Sequence, residues 1–113
     1  MYSIAISMKI PVHYKSPEEA LSIIKSGNRV FIQGSSQTPT FLLKALADEA
    51  PRLKNVELVF ISVYGDIYVD KPQYADSFYV NSLFVSASIR DSVNEGRADY
   101  VPVFLSEIPE LFK

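Results

Sequence analysis

The sequence predicts an α/β fold, a mostly parallel sheet flanked by helices. Three observations predict it. Short apolar runs with the length of buried strands recur along the 113 residues. Helical stretches with their own start and stop signals separate them. No internal repeat, low-complexity tract or linker breaks the series. Strands joined through helices require right-handed crossovers, which leave neighbouring strands parallel. The length suits one domain over residues 1–113, large enough to bury about two-thirds of the surface an unfolded chain exposes.

The elements follow in order. Ser16-Pro17-Glu18-Glu19 is a helix start: Ser16 caps, Pro17 fits the first turn, and Glu19 stands where a capping box needs its carboxylate. Ala20, Leu21, Ile23 and Ile24 make an apolar stripe, and Gly27 supplies a left-handed stop. That predicts a helix over residues 17–26. Arg29-Val30-Phe31-Ile32-Gln33 reads as a strand buried on both faces. Gly34 to Pro39 is a polar loop. Thr38 is expected to cap a second helix with Pro39 at its first position, Leu42, Leu43, Ala45 and Leu46 on its buried side, and Pro51 past its end.

Val56 to Ile61 is a second buried strand. Residues 62–77 look irregular and tyrosine-rich. Phe78 to Val85 predicts a third strand, Ser88 to Glu95 a short helix closed by Gly96, and Tyr100 to Phe104 a fourth strand. Ser106-Glu107-Ile108-Pro109-Glu110 opens a further helix. The chain ends about one turn later at Lys113, so the expectation is that the natural polypeptide continues.

Composition narrows the function. Hydrophobic residues make up 48% of the chain, too many for disorder, and the net charge of −2 gives no footprint for nucleic acid. There is no cysteine, which excludes a disulfide framework, a thiolate zinc site and a cysteine nucleophile, and fits a cytoplasmic protein. With His13 the single histidine, no His-rich metal site and no Ser/His/Asp arrangement is credible. Met1 to Ile10 lacks a basic region and does not read as a signal peptide, and no apolar run approaches the ~20 residues of a membrane helix.

The segment richest in chemistry is Gln33-Gly34-Ser35-Ser36-Gln37-Thr38-Pro39. It runs from the carboxyl end of a strand into a helix N-terminus, where open parallel sheets bind ligands and helices present free N–H groups to anions. Gly34 permits close backbone approach, and the Ser35, Ser36 and Thr38 hydroxyls add donors. It lacks both the GxGxxG dinucleotide fingerprint and the Gly-Lys-Ser/Thr of a P-loop. An ordinary strand-to-helix turn would look the same. The tyrosines from Tyr64 to Tyr79 suit either a pocket for an acyl or adenine group or, more simply, the lid of a small core. Arg90 and Arg97 suit either a carboxylate or phosphate partner or an ordinary ion pair.

Three stretches carry a resemblance. They are Tyr14 to Ala20 continuing through Ile24 to Ile32, then Gly34 to Pro39, and then Phe84, Arg90 and the long run from Glu95-Gly96-Arg97-Ala98-Asp99-Tyr100-Val101-Pro102 to Phe112. Together they resemble the N-terminal portion of acetyl-CoA hydrolases and 4-hydroxybutyrate CoA-transferases. The resemblance implies an α/β fold of the CoA-transferase type. It implies chemistry in which a glutamate carboxylate attacks an acyl-CoA carbonyl to give a glutamyl-CoA thioester, with backbone N–H groups stabilising the oxyanion. That glutamate belongs to the second half of the family's chain, so no catalytic residue is assigned here. The implied substrate-binding residues are Gln33, Gly34, Ser35, Ser36 and Thr38, with Asn81 and Arg90 in the stretch leading to the third motif. The implied ligands are an acyl-CoA and a small carboxylate, with coenzyme A as substrate, no permanent cofactor, no metal, no nucleic acid and no membrane. A homo-oligomer is expected. The alternatives are a stand-alone module that binds CoA or a nucleotide without chemistry, and an assembly module that pairs with a partner chain.

Overall fold

The computed structural model describes residues 13–113; the reading of Met1 to Ile10 lies outside them. Four strands, β1 (Arg29–Phe31), β2 (Val56–Phe60), β3 (Phe78–Ser82) and β4 (Ala98–Tyr100), form one all-parallel sheet in the order β1-β2-β3-β4. The helices are α1 (Pro17–Leu21), α2 (Thr40–Asp48) and α3 (Arg90–Asn94). Single 3-10 turns lie at Ser35–Gln37, Ala50–Arg52 and Pro72–Tyr74, and a longer 3-10 segment runs over Leu105–Phe112.

This strand order has a consequence for the layers. When consecutive parallel strands are also neighbours, every right-handed crossover puts its connection on the same side of the sheet. The core follows that rule. Leu58, Phe60, Val80 and Ala98 cluster with Leu21, Leu43, Leu46 and Ile89 from the helical layer. Side chains alternate along a strand, so Arg29, Phe31, Glu57, Val59, Tyr79, Asn81 and Asp99 project from the other face, where the register lines them up.

The alternating helices and strands stand as predicted, with corrections to their bounds and faces; the third strand ends at Ser82 rather than Val85. The segment Arg29 to Gln33 is not buried on both faces: β1 is an edge strand, with Arg29 and Phe31 exposed. The first helix stops at Leu21 rather than residue 26. Its Ser16 cap is present, accepting from the Glu19 N–H at 3.2 Å, but the Ser22 hydroxyl donates to the Glu19 carbonyl at 2.6 Å and turns the chain early. Thr38 does not cap the second helix; Pro39 holds the cap position with ψ 68°, and α2 starts at Thr40. Its buried side is Leu43, Leu46 and Ala47, while Leu42 is exposed. The fourth strand lies at Ala98–Tyr100 rather than Tyr100 to Phe104, because only Val101 beyond it still donates to the sheet, to the Ser82 carbonyl at 2.9 Å. The closing segment is 3-10 rather than α, and it opens at Leu105, not at Ser106.

Gly96 (φ 74°) holds as the left-handed stop just past α3, whereas Gly27 (φ 80°) is left-handed but lies six residues beyond the end of α1. Of the tyrosines, Tyr68 and Tyr74 pack against the core and Tyr64 and Tyr79 are exposed.

Candidate functional site

The carboxyl ends of β1 and β2 meet closely. Ile32 donates to the Val59 carbonyl at 2.8 Å and Ser35 to the Ser62 carbonyl at 2.7 Å. Between them Gly34 is extended (φ −109°, ψ −172°), a conformation open to any residue. Glycine is required there by contact: a Cβ would sit 2.1 Å from the Ser62 carbonyl oxygen. Ser35 then turns left-handed at φ 53°, which is costly for a residue with a side chain and needs support from its surroundings.

That support comes from hydroxyls. Thr38 Oγ1 donates to the Ser35 carbonyl at 2.7 Å and accepts from the Tyr64 N–H at 3.2 Å, tying the loop after β1 to the loop after β2. Ser86 Oγ donates to the Val63 carbonyl at 2.8 Å, tying in the loop after β3. Phe31, Gln33, Gly34, Ser35, Ile61 and Ser62 line a cleft of about 190 Å3. Small-molecule sites usually enclose about 300–1,000 Å3, so these residues form part of a wall and not a whole pocket. No charged side chain lies in Gln33 to Thr38, and α2 begins directly after it with no side-chain cap.

Gln33, Gly34, Ser35, Ser36 and Thr38 are therefore brought together. Asn81 and Arg90 lie apart from them. Asn81 is in mid-strand on the helix-free face, where its Nδ2 donates to Glu57 at 2.6 Å. Arg90 is exposed at the start of α3 and makes no ion pair among the described residues. Arg97 takes its structural option, pairing with Glu95 at 2.5 Å and bonding the Ser92 hydroxyl and the Asp70 carbonyl. Sequence reasoning missed Ser62 and Ser86, and it weighed the Tyr64 side chain where the backbone N–H makes the contact. The signal for Ser62 was available, since it follows a buried strand as directly as Gly34 does.

The helix-free face carries its own polar network. Arg29 Nε donates to Glu57 at 2.5 Å. That bond, helped by Asn81, holds the Glu57 carboxyl below its ordinary range despite partial burial. The Tyr79 hydroxyl donates to Asp99, which holds the phenol above its ordinary range. Among the described residues no group of three or more His, Cys, Asp or Glu could hold a metal, and no helix is long and apolar enough to cross a membrane.

The comparisons with known proteins agree with this architecture. The family model described as acetyl-CoA hydrolase/transferase N-terminal domain matches residues 9–113. A succinyl-CoA:acetate/propanoyl-CoA:succinate CoA transferase of Fasciola hepatica is 36% identical over 93% of this chain and 22% of its own length. The 4-hydroxybutyrate coenzyme A transferase of Clostridium kluyveri is 36% identical over 85% of this chain, again 22% of its own length. The crystal structure of RipA from Yersinia pestis superposes with a TM-score of 0.74 at 28% identity, covering 86% of this chain and 25% of that one. The chain thus spans about a fifth of the length of the curated relatives it matches, and it belongs to the acetyl-CoA hydrolase/transferase N-terminal domain family.

Proposed function

We propose that this chain supplies one wall of an acyl-CoA and carboxylate cleft in a CoA-transferase or acyl-CoA hydrolase. The observation that carries the reading is the joining of the β1 and β2 carboxyl ends through Gly34, Ser62 and Thr38, which leaves a small neutral cleft with hydroxyls and backbone groups at its rim. Such groups suit a polar acyl or carboxylate end. The cleft is too small for a whole coenzyme A, which fits a wall shared with further polypeptide. On this reading Gln33, Gly34, Ser35, Ser36 and Thr38 contact or shape the site, while Asn81 and Arg90 act outside it. Coenzyme A enters as substrate, the nucleophilic glutamate lies outside these 113 residues, and the working protein is a cytoplasmic homo-oligomer.

The reading predicts no exchange between acetyl-CoA and labelled acetate by the isolated chain; clear exchange would overturn it. It also predicts activity when this chain replaces the matched N-terminal portion of the Clostridium kluyveri relative. A graft that folds and exchanges nothing would count equally against it.

A further inference from the structure

Given the cleft reading, on which this step rests, we propose that the wall receives the tail of the acyl group, the end away from the reacting carbonyl. It selects a short uncharged tail against one ending in a second carboxylate, and Gln33 sets the choice.

The reacting carbonyl must meet the nucleophilic glutamate, which on that reading lies outside these 113 residues, so the tail is the end left for this wall. The dimensions suit a tail: about 190 Å3 has room for a short chain and not for a pantetheine arm. One side of the cleft is apolar. Phe31 is 46% exposed there, and Phe112 packs edge-on against it with ring centroids 5.9 Å apart. Ile61, half-buried, lines the cleft just beyond the end of β2. The other side is polar and neutral. Gln33 carries an amide that both donates and accepts. Its contact with Gln37, at 3.4 Å, is weak, which leaves the amide for a ligand. Gly34, Ser35 and Ser62 complete the lining.

A second carboxylate would find no cation here. Among the described residues no charged side chain lines the cleft. Arg29 stands two residues before Phe31 on the same face, but it lines a neighbouring groove and is paired with Glu57 at 2.5 Å. Asp99, also on this face, accepts from the neutral Tyr79 hydroxyl and keeps its charge, so the face offers an anion no net positive field. The first turn of α2 supplies nothing either, since Thr40, Phe41 and Leu42 lie outside the lining. Seating a carboxylate against Phe31 would strip its water and return no ion pair, which is costly. A methyl or hydroxyl end loses nothing comparable. The first packs on Phe31 and Ile61, and the second exchanges water for the Gln33 amide.

The Fasciola hepatica relative, named for both succinyl-CoA and propanoyl-CoA, is the host for the test. This chain replaces the portion of it that matches, and kcat/KM is measured for the two thioesters with acetate as acceptor. The preference for propanoyl-CoA over succinyl-CoA should rise about tenfold or more above that of the whole relative. Gln33→Arg in the graft places a guanidinium that can grip a carboxylate bidentately, and should lower that preference again by about fivefold or more. An active graft with the relative's own preference overturns the selectivity, and so does a preference that Gln33→Arg leaves unmoved. If the graft does not fold, Gln33 to Thr38 alone are placed at the aligned positions of the same relative, with and without Gln33→Arg, and an unmoved preference there overturns it too. A folded graft that exchanges neither thioester counts against the cleft reading and removes the selectivity with it. The preference is read only from active protein, so the two failures are told apart.

Discussion

The backbone N–H of Tyr64 donates to the hydroxyl of Thr38 at 3.2 Å, across 26 residues of sequence, while the same hydroxyl donates to the Ser35 carbonyl at 2.7 Å. One oxygen thus holds the left-handed Ser35 turn and fastens it to the loop after β2. Thr38→Val keeps the shape and removes both bonds. Each is worth about 0.5–1.5 kcal/mol net, so the loss should be about 1–3 kcal/mol in a denaturant titration. Thr38→Ser keeps both bonds and should stay close to the parent. A Thr38→Val protein as stable as the parent would show that the loops hold together without this oxygen.

Two glycines separate two physical reasons for glycine. Gly34 is extended but pressed against the Ser62 carbonyl, with no room for a Cβ. Gly27 is left-handed at φ 80° with nothing within 4 Å of its would-be Cβ. Gly27→Ala should cost only the left-handed penalty, about 1–2 kcal/mol. Gly34→Ala must move backbone and should cost about 3 kcal/mol or more, at the upper end of overpacking effects. Thermal melting of the two variants should rank them in that order; the reverse order would mean that the β1–β2 junction yields easily.

These two sites show where the chain was legible. The strands β2 and β3 announce themselves because Val56 to Phe60 and Phe78 to Ser82 supply the core side chains that any sheet needs. The alternation of Glu57 within an apolar run is also visible, and it marks the second face. The edge position of β1 is not visible, because strand order is a property of the whole sheet, and Val30-Phe31-Ile32 reads the same at an edge as in a centre. The resemblance and the strand-end rule both point to Gln33 through Thr38. The role of Thr38 was misread, since Thr-Pro looks locally like a helix cap. Its real acceptor bond comes from Tyr64, a partner no local pattern names. Ile23, 79% exposed, belonged to a helical stripe that never formed because α1 ends first.

Helix α1 has five residues, far too few to persist alone in water. Arg52 supplies what it lacks. Its guanidinium donates to the Leu21 carbonyl at 2.8 Å and to the Ile24 carbonyl at 2.7 Å, and pairs with Glu49. A cation at this end also suits the helix dipole. Arg52→Met removes both bonds, leaving the Leu21 carbonyl only the Ile24 N–H at 3.0 Å, and should cost about 1–3 kcal/mol. Arg52→Lys, with one compact charge, should fall between. Hydrogen exchange locates the effect: amides around residues 19–28 should speed up far more than those of β3. Uniform acceleration across the chain would mean that Arg52 supports the whole domain instead of fastening α1.

The Glu57 carboxyl is held below its ordinary value, first by the Arg29 bond and then by Asn81, against the opposing effect of burial. A carboxyl with a depressed pKa in the folded state contributes stability that is present above its unfolded pKa, about 4.3, and is lost as pH falls through the folded value. Glu57→Gln can still accept from Asn81 but cannot pair with the Arg29 charge. The variant should therefore be less stable than the parent at pH 7, by an amount typical of a partly exposed pair, about 0.2–1 kcal/mol. The gap should close below about pH 4 as the parent's carboxyl takes up its proton. Urea titrations of both proteins from neutral to acid pH measure that convergence. A gap that stays constant across the range would show that the Arg29–Glu57 pair makes no charge-dependent contribution, and that the network on this face acts through shape and neutral hydrogen bonds.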